Sequence, residues 1–154
     1  METLKGFKLD QFPLQLEHIA DLIAFDGPLL SLFENHFGEN YFYYWCDVDD
    51  NYNRWLVFRV SYEQLRGYLM QQISLHDLTL NPVDGFVYCL DIDNDIQYQN
   101  VYLLRPKNLP DAIIPEKNSY YDLDSELDEE ERKAILDRVL TAANAAIYSL
   151  QQMM

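Results

Sequence analysis

A chain of 154 residues, 49% apolar and 14% aromatic, has enough apolar mass to build its own core, which excludes disorder as a description of the whole. Its 26 acidic residues against 11 lysines and arginines give a net charge of −15. That balance argues against direct binding to nucleic acid or an anionic membrane, both of which require clustered bases.

Taken in chain order, the first ten residues are charged and carry neither the apolar core nor the cleavage site of a secretory leader. No apolar run anywhere approaches the roughly 18 residues of a membrane span. Residues 1–20 fit neither the helical nor the strand period, and their role stays open. Residues 22–25 form a short apolar run, Asp26-Gly27-Pro28 a turn, and residues 29–33 a second run. After a loop at 35–40, residues 41–48 and 54–60 read as an antiparallel hairpin, because aromatic and β-branched residues suit a pleated surface. Ser61 with Gln64 makes a capping box that opens a helix over 62–72, which Gly67 weakens by about 1 kcal/mol relative to alanine. Residues 73–80 read as a connector. A second hairpin pairs 86–92 with 98–104. Three prolines in residues 105–115 forbid a helix there.

The last segment has the clearest helical period. Ser125 is the expected cap, and Leu136, Val139, Leu140, Ala143, Ile147 and Leu150 recur at threes and fours. The expected fold is therefore α+β: an antiparallel sheet of about five or six strands with a C-terminal helix packed on one face. The domain organisation is one domain over 1–154, with a β-rich core at 21–105 and the helix at 125–151. Cys46 and Cys89 lie inside apolar runs and read as buried, reduced thiols of a cytoplasmic protein.

The acidity is not spread evenly. Residues 39–53 hold four acids and no base, residues 84–98 the same, and residues 116–131 eight acids against Lys117. These three segments account for the whole net charge, since the remaining acids and bases balance at ten each. Turn chemistry explains aspartates at hairpin ends, and the helix dipole explains part of the third segment. Neither requires seven carboxylates within residues 122–131.

Candidate chemistry is sparse. Asp91, Asp93 and Asp95 have the opening spacing of an EF-hand loop, but Ile96 stands where glycine is needed and Tyr102 where a bidentate glutamate is needed. Asp47, Asp49 and Asn51 begin and fail in the same way. His18, His36 and His76 have no metal-ligand spacing with each other or with either cysteine. A Cys46–His76 nucleophile pair would need the fold to bring together two distant residues, one of them in an apolar run. Alternation in residues 41–48 places Tyr41, Tyr43, Trp45 and Asp47 on one face and Phe42, Tyr44, Cys46 and Val48 on the other. The second set, with Leu56, Phe58 and Val60 opposite, is the expected core. The first set then lies on the other sheet face, either as an interface hot spot or covered by the N-terminal segment.

Residues 21–93 resemble an uncharacterised domain family found widely in bacteria. The resemblance rests on Gly27-Pro28-Leu29-Leu30, Trp45-Cys46-Asp47, Trp55-Leu56-Val57 and Ser74-Leu75-His76-Asp77-Leu78. It implies one compact α+β domain from a prokaryote or its phage, and it transfers no activity.

The functional expectation is a non-catalytic acidic binding module without metal or cofactor. It would act as an inhibitor, antitoxin, immunity factor or phage counter-defence factor on a basic nucleic-acid-handling protein such as a nuclease. Asp47, Asp49, Asp50, Asp91, Asp93, Asp95, Glu129 and Glu130 would steer and orient that partner by imitating a phosphate track, with Tyr43 and Trp45 as anchors. One alternative is a regulatory or accessory subunit that binds through its Tyr-rich sheet face. The other is a weak divalent-cation module or small enzyme. The oligomeric state is left open.

Overall fold

Strand pairing here is antiparallel throughout. The computed structural model describes residues 4–153 and contains seven strands. These are β1 (Phe7–Leu9), β2 (Glu17–Ala24), β3 (Pro28–Glu34), β4 (Asn40–Val48), β5 (Tyr52–Val60), β6 (Val87–Asp93) and β7 (Tyr98–Leu104). They form one sheet in the order β1-β7-β6-β5-β4-β3-β2. The count exceeds the expected five or six because residues 1–20 supply an additional strand, β1; they also supply the start of β2, which the sequence showed only from residue 22. Both lie at sheet edges, where the neighbouring strand supplies the ladder and the local sequence need not show a period.

Two consequences of alternation follow from the register. In the central hairpin Phe42 faces Phe58 and Tyr44 faces Leu56. These residues, with Leu22, Leu30, Leu32, Val87, Cys89, Tyr102 and Leu104, form the main core beneath the helices. Val48 escapes it: a bulge between Trp45 and Asp47 shifts the register, and Val48 is exposed. On the opposite face Tyr41, Tyr43, Val57, Leu90 and Val101 make a second, smaller cluster. The N-terminal segment covers it with Phe12, Leu14 and Leu16.

Helix α1 (Tyr62–Leu69) has the expected capping box, with the Gln64 amide donating to Ser61 Oγ at 3.0 Å and the Ser61 amide donating to Gln64 Oε1 at 2.9 Å. The supposed connector contains a second helix, α2 (Leu75–Leu80), capped by Ser74. Six residues are too few for a readable period, so only the cap could have signalled it. Helix α3 (Glu129–Met153) begins later than Ser125 suggests. Asp128 and Glu131 form the box instead: the Glu131 amide donates to Asp128 Oδ1 at 2.8 Å, and the Asp128 amide donates to Glu131 Oε1 at 3.2 Å. Ser125 donates its hydroxyl to the Asp122 carbonyl. Ile135 and Val139 anchor α3 on the core, whereas Leu140, Ile147 and Leu150 are exposed. The apolar stripe is thus used only over its first half. Among the described residues no helix is long and apolar enough to cross a membrane.

Candidate functional site

Three hairpin turns lie side by side at one end of the sheet. They are residues 25–27 between β2 and β3, residues 49–51 between β4 and β5, and residues 94–97 between β6 and β7. Strands are about 4.8 Å apart, so successive turns are separated by about 10 Å and the row spans about 20 Å. It carries Asp26, Asp49, Asp50 and Asp95, with Asp47 and Asp93 at the adjoining strand ends; no lysine or arginine falls within the three turns. Phe25 and Ile96, 77% and 76% exposed, stand among these carboxylates. Asp26 was legible in the sequence only as part of a turn signal, and pairing of the strands is what places it in the row.

The aspartates do different work. The amides of Tyr52 and Asn51 donate to Asp49 at 3.0 and 2.8 Å and hold its carboxyl below the usual carboxylate range. The Gln97 amide, the Gln99 side chain and the Asp95 amide do the same for Asp93. Those two residues therefore shape the turns as well as charging them. Asp50 and Asp95 are exposed. Asp47 is half-buried and accepts the Val48 amide at 2.8 Å. Glu129 and Glu130 are exposed in the first turn of α3, on the helical layer rather than on a hairpin turn.

Asp91 cannot steer a partner. It is fully buried, and Arg54 grips it with Nε to Oδ1 at 2.7 Å and Nη2 to Oδ2 at 2.9 Å. Asn100 adds a bond to Oδ2 at 2.9 Å. Burial, the largest single influence, would lower the Arg54 guanidinium, but the Asp91 hydrogen bonds together with the charge attraction of Asp91 and the nearby thiols Cys89 and Cys46 raise it above its ordinary value. A signal existed: Arg54 shares the alternating face of Leu56, Phe58 and Val60, and a guanidinium there needs a carboxylate. The same burial prevents Asp91, Asp93 and Asp95 from converging as an EF-hand would require.

Tyr43 is also placed differently from an exposed anchor. It is 9% exposed, stacked obliquely on Phe33 with ring centroids 4.3 Å apart and crossed by Phe12 at 6.4 Å. Burial, then the Tyr98 hydroxyl bonded to it, push its phenol far above the usual value. The physical reason is the covering segment, whose apolar residues would otherwise face water. Trp45 is half-buried and donates its indole N–H to Asn53 at 2.9 Å.

Between that segment, β2 and the sheet, a cleft of about 850 Å³ runs towards the 94–97 turn. Phe33, Tyr43 and Trp55 contribute its aromatic surfaces, and Asp21 and Asp93 border it. The His18 ring Nε2–H and the Ser31 hydroxyl both donate to Asp21 Oδ1, at 2.7 and 2.6 Å. Burial opposes ionisation of Asp21, but these two bonds prevail and hold its carboxyl below the usual range. Ser31 addresses the carboxylate and not the imidazole, so the trio lacks the serine-to-histidine link of a charge-relay nucleophile.

The other nucleophile candidate is likewise committed to structure. Cys46 donates its thiol to the Arg54 carbonyl at 3.4 Å, and His76 donates Nδ1–H to the Pro115 carbonyl at 2.8 Å. Burial pushes both thiols up, that of Cys89 to about 12. Among the described residues no three histidine, cysteine or acidic side chains converge as metal ligands.

No curated protein and no solved structure matches the chain. A family model does, and its match over residues 10–148 takes in the acidic C-terminal third that the short motifs of residues 21–93 did not reach. With nearly the whole chain matched, the protein belongs to a family of unknown function, DUF6575.

Proposed function

We propose that this protein is a non-catalytic acidic binding module that docks the hairpin end of its sheet onto a basic, nucleic-acid-handling protein of the cytoplasm and inhibits or neutralises it. The observation that supports this most directly is the row of three turns. Carboxylates repeat along about 20 Å of the sheet's hairpin end, the turns themselves carry no lysine or arginine, and Phe25 and Ile96 project between the carboxylates. Such a row offers a basic groove the charge of a phosphate track, together with apolar contact for the docked state. The helical layer adds Glu129 and Glu130 as a second acidic region.

The test is affinity capture from the native host with the wild-type protein and with an Asp26→Asn/Asp50→Asn/Asp95→Asn variant. These exposed positions avoid the turn-forming Asp49 and Asp93. A basic protein should be retained by the wild type at low salt, elute as salt rises through about 0.5 M, and be lost from the variant. A partner that survives both salt and charge removal would overturn the reading, and would favour the accessory-subunit alternative.

A further inference from the structure

We infer that the cleft beneath the N-terminal segment receives an arginine side chain of the docking partner. The inference rests on the reading that the partner is basic, and it concerns a recess that adjoins the turn row and shares Asp93 and Ile96 with it. Tyr43 was expected to project as an anchor; instead it lines a recess that is continuous with the acidic end of the sheet through Asp93 and Ile96. A volume of about 850 Å³ has room for one long side chain with its flanking backbone.

The lining selects the chemistry of the occupant. Trp55 and Tyr43 lie with ring centroids 6.4 Å apart, and Phe33 continues the aromatic surface at 4.3 Å from Tyr43. The carboxylates of Asp21 and Asp93 are on residues bordering the cleft, and among the described residues no lysine or arginine borders it. Asp21 is pre-oriented: His18 and Ser31 hold Oδ1, fixing the direction in which the carboxylate faces. Aromatic faces beside a fixed carboxylate form the setting in which a planar, weakly hydrated cation is favoured. Arginine fits it better than lysine, because guanidinium stacks on rings and pairs with carboxylate in the same plane.

The experiment titrates the full-length protein with an acetylated Gly-Gly-Arg-Gly-Gly amide and with the same peptide carrying citrulline, which keeps the shape and removes the charge. The readout is the pair of indole N–H signals in a nitrogen–proton correlation spectrum, assigned with Trp45→Phe. The arginine peptide should shift the Trp55 indole saturably at millimolar concentration, the citrulline peptide should not, and Asp21→Asn should weaken binding roughly threefold to thirtyfold. Equal shifts from both peptides would overturn the proposal by showing an occupant chosen for its apolar body. Shifts confined to amides of the three turns would also overturn it, while leaving the acidic docking surface intact. Both outcomes are read on the wild-type protein, with Trp45→Phe used only to assign its signals, so a poorly folding Asp21→Asn protein would not obscure the result.

Discussion

Arg54 and Asp91 face each other across β5 and β6 as a two-pronged ion pair sealed from solvent, with the Arg54 guanidinium carbon 6.0 Å from the centre of the Tyr102 ring. It joins two central strands beneath the helical layer, within the main core. Removing one member leaves the other charged and buried. Asp91→Asn or Arg54→Met should each destabilise the fold by about 3–5 kcal/mol, and Arg54→Met/Asp91→Leu should recover most of that loss. Urea denaturation of the three variants measures it. Equal losses in the double and single variants would show that the pair contributes more than mutual neutralisation.

Acid should weaken the fold in a predictable window. Asp21, Asp49 and Asp93 all have folded-state carboxyls held below their unfolded values. Their contribution is fully present above the unfolded value near about 4 and is lost as pH falls through the depressed folded values. The melting temperature should therefore begin to fall as pH drops below about 4. Asp49→Asn/Asp93→Asn should flatten that slope, because asparagine accepts the same amide bonds without titrating. An unchanged slope would show that other carboxyls govern acid unfolding.

Thiol labelling reports on the core. Burial raises both thiols, that of Cys89 to about 12, so neither is appreciably ionised at pH 8. Iodoacetamide should label neither cysteine over an hour in native buffer and both within minutes in denaturant. Mass spectrometry reads the count directly. Rapid native labelling of Cys46 would reveal local opening of β4 at its bulge.

Gly67 illustrates a local rule overridden by packing. Helix propensity alone favours alanine there by about 1 kcal/mol. A Cβ at position 67, however, would lie 2.5 Å from Ile73 Cδ1 and 2.9 Å from Cγ1. Overpacking typically costs about 1–3 kcal/mol, so Gly67→Ala should lower the melting temperature, and Gly67→Ala/Ile73→Val should restore part of it by removing Cδ1, the nearer of the two contacts. A more stable single variant would mean that Ile73 moves aside freely.

Local physical rules were legible wherever one short stretch of chain settles the outcome. Aromatic and β-branched runs bounded by Asp, Asn and Gly specified the two hairpins, Ser61 with Gln64 specified the start of α1, and period two specified Phe42, Leu56, Phe58 and Val60 as core. The segregation of charge was legible too, because it is a property of the chain itself. Tertiary pairing decided the rest. Alternation assigns residues to a face but does not say what covers it, so only the folded chain puts Phe12 over Tyr43. Register places Asp91 opposite Arg54 and removes it from the surface. The same register aligns three turns distant in sequence, turning scattered aspartates into a single acidic edge.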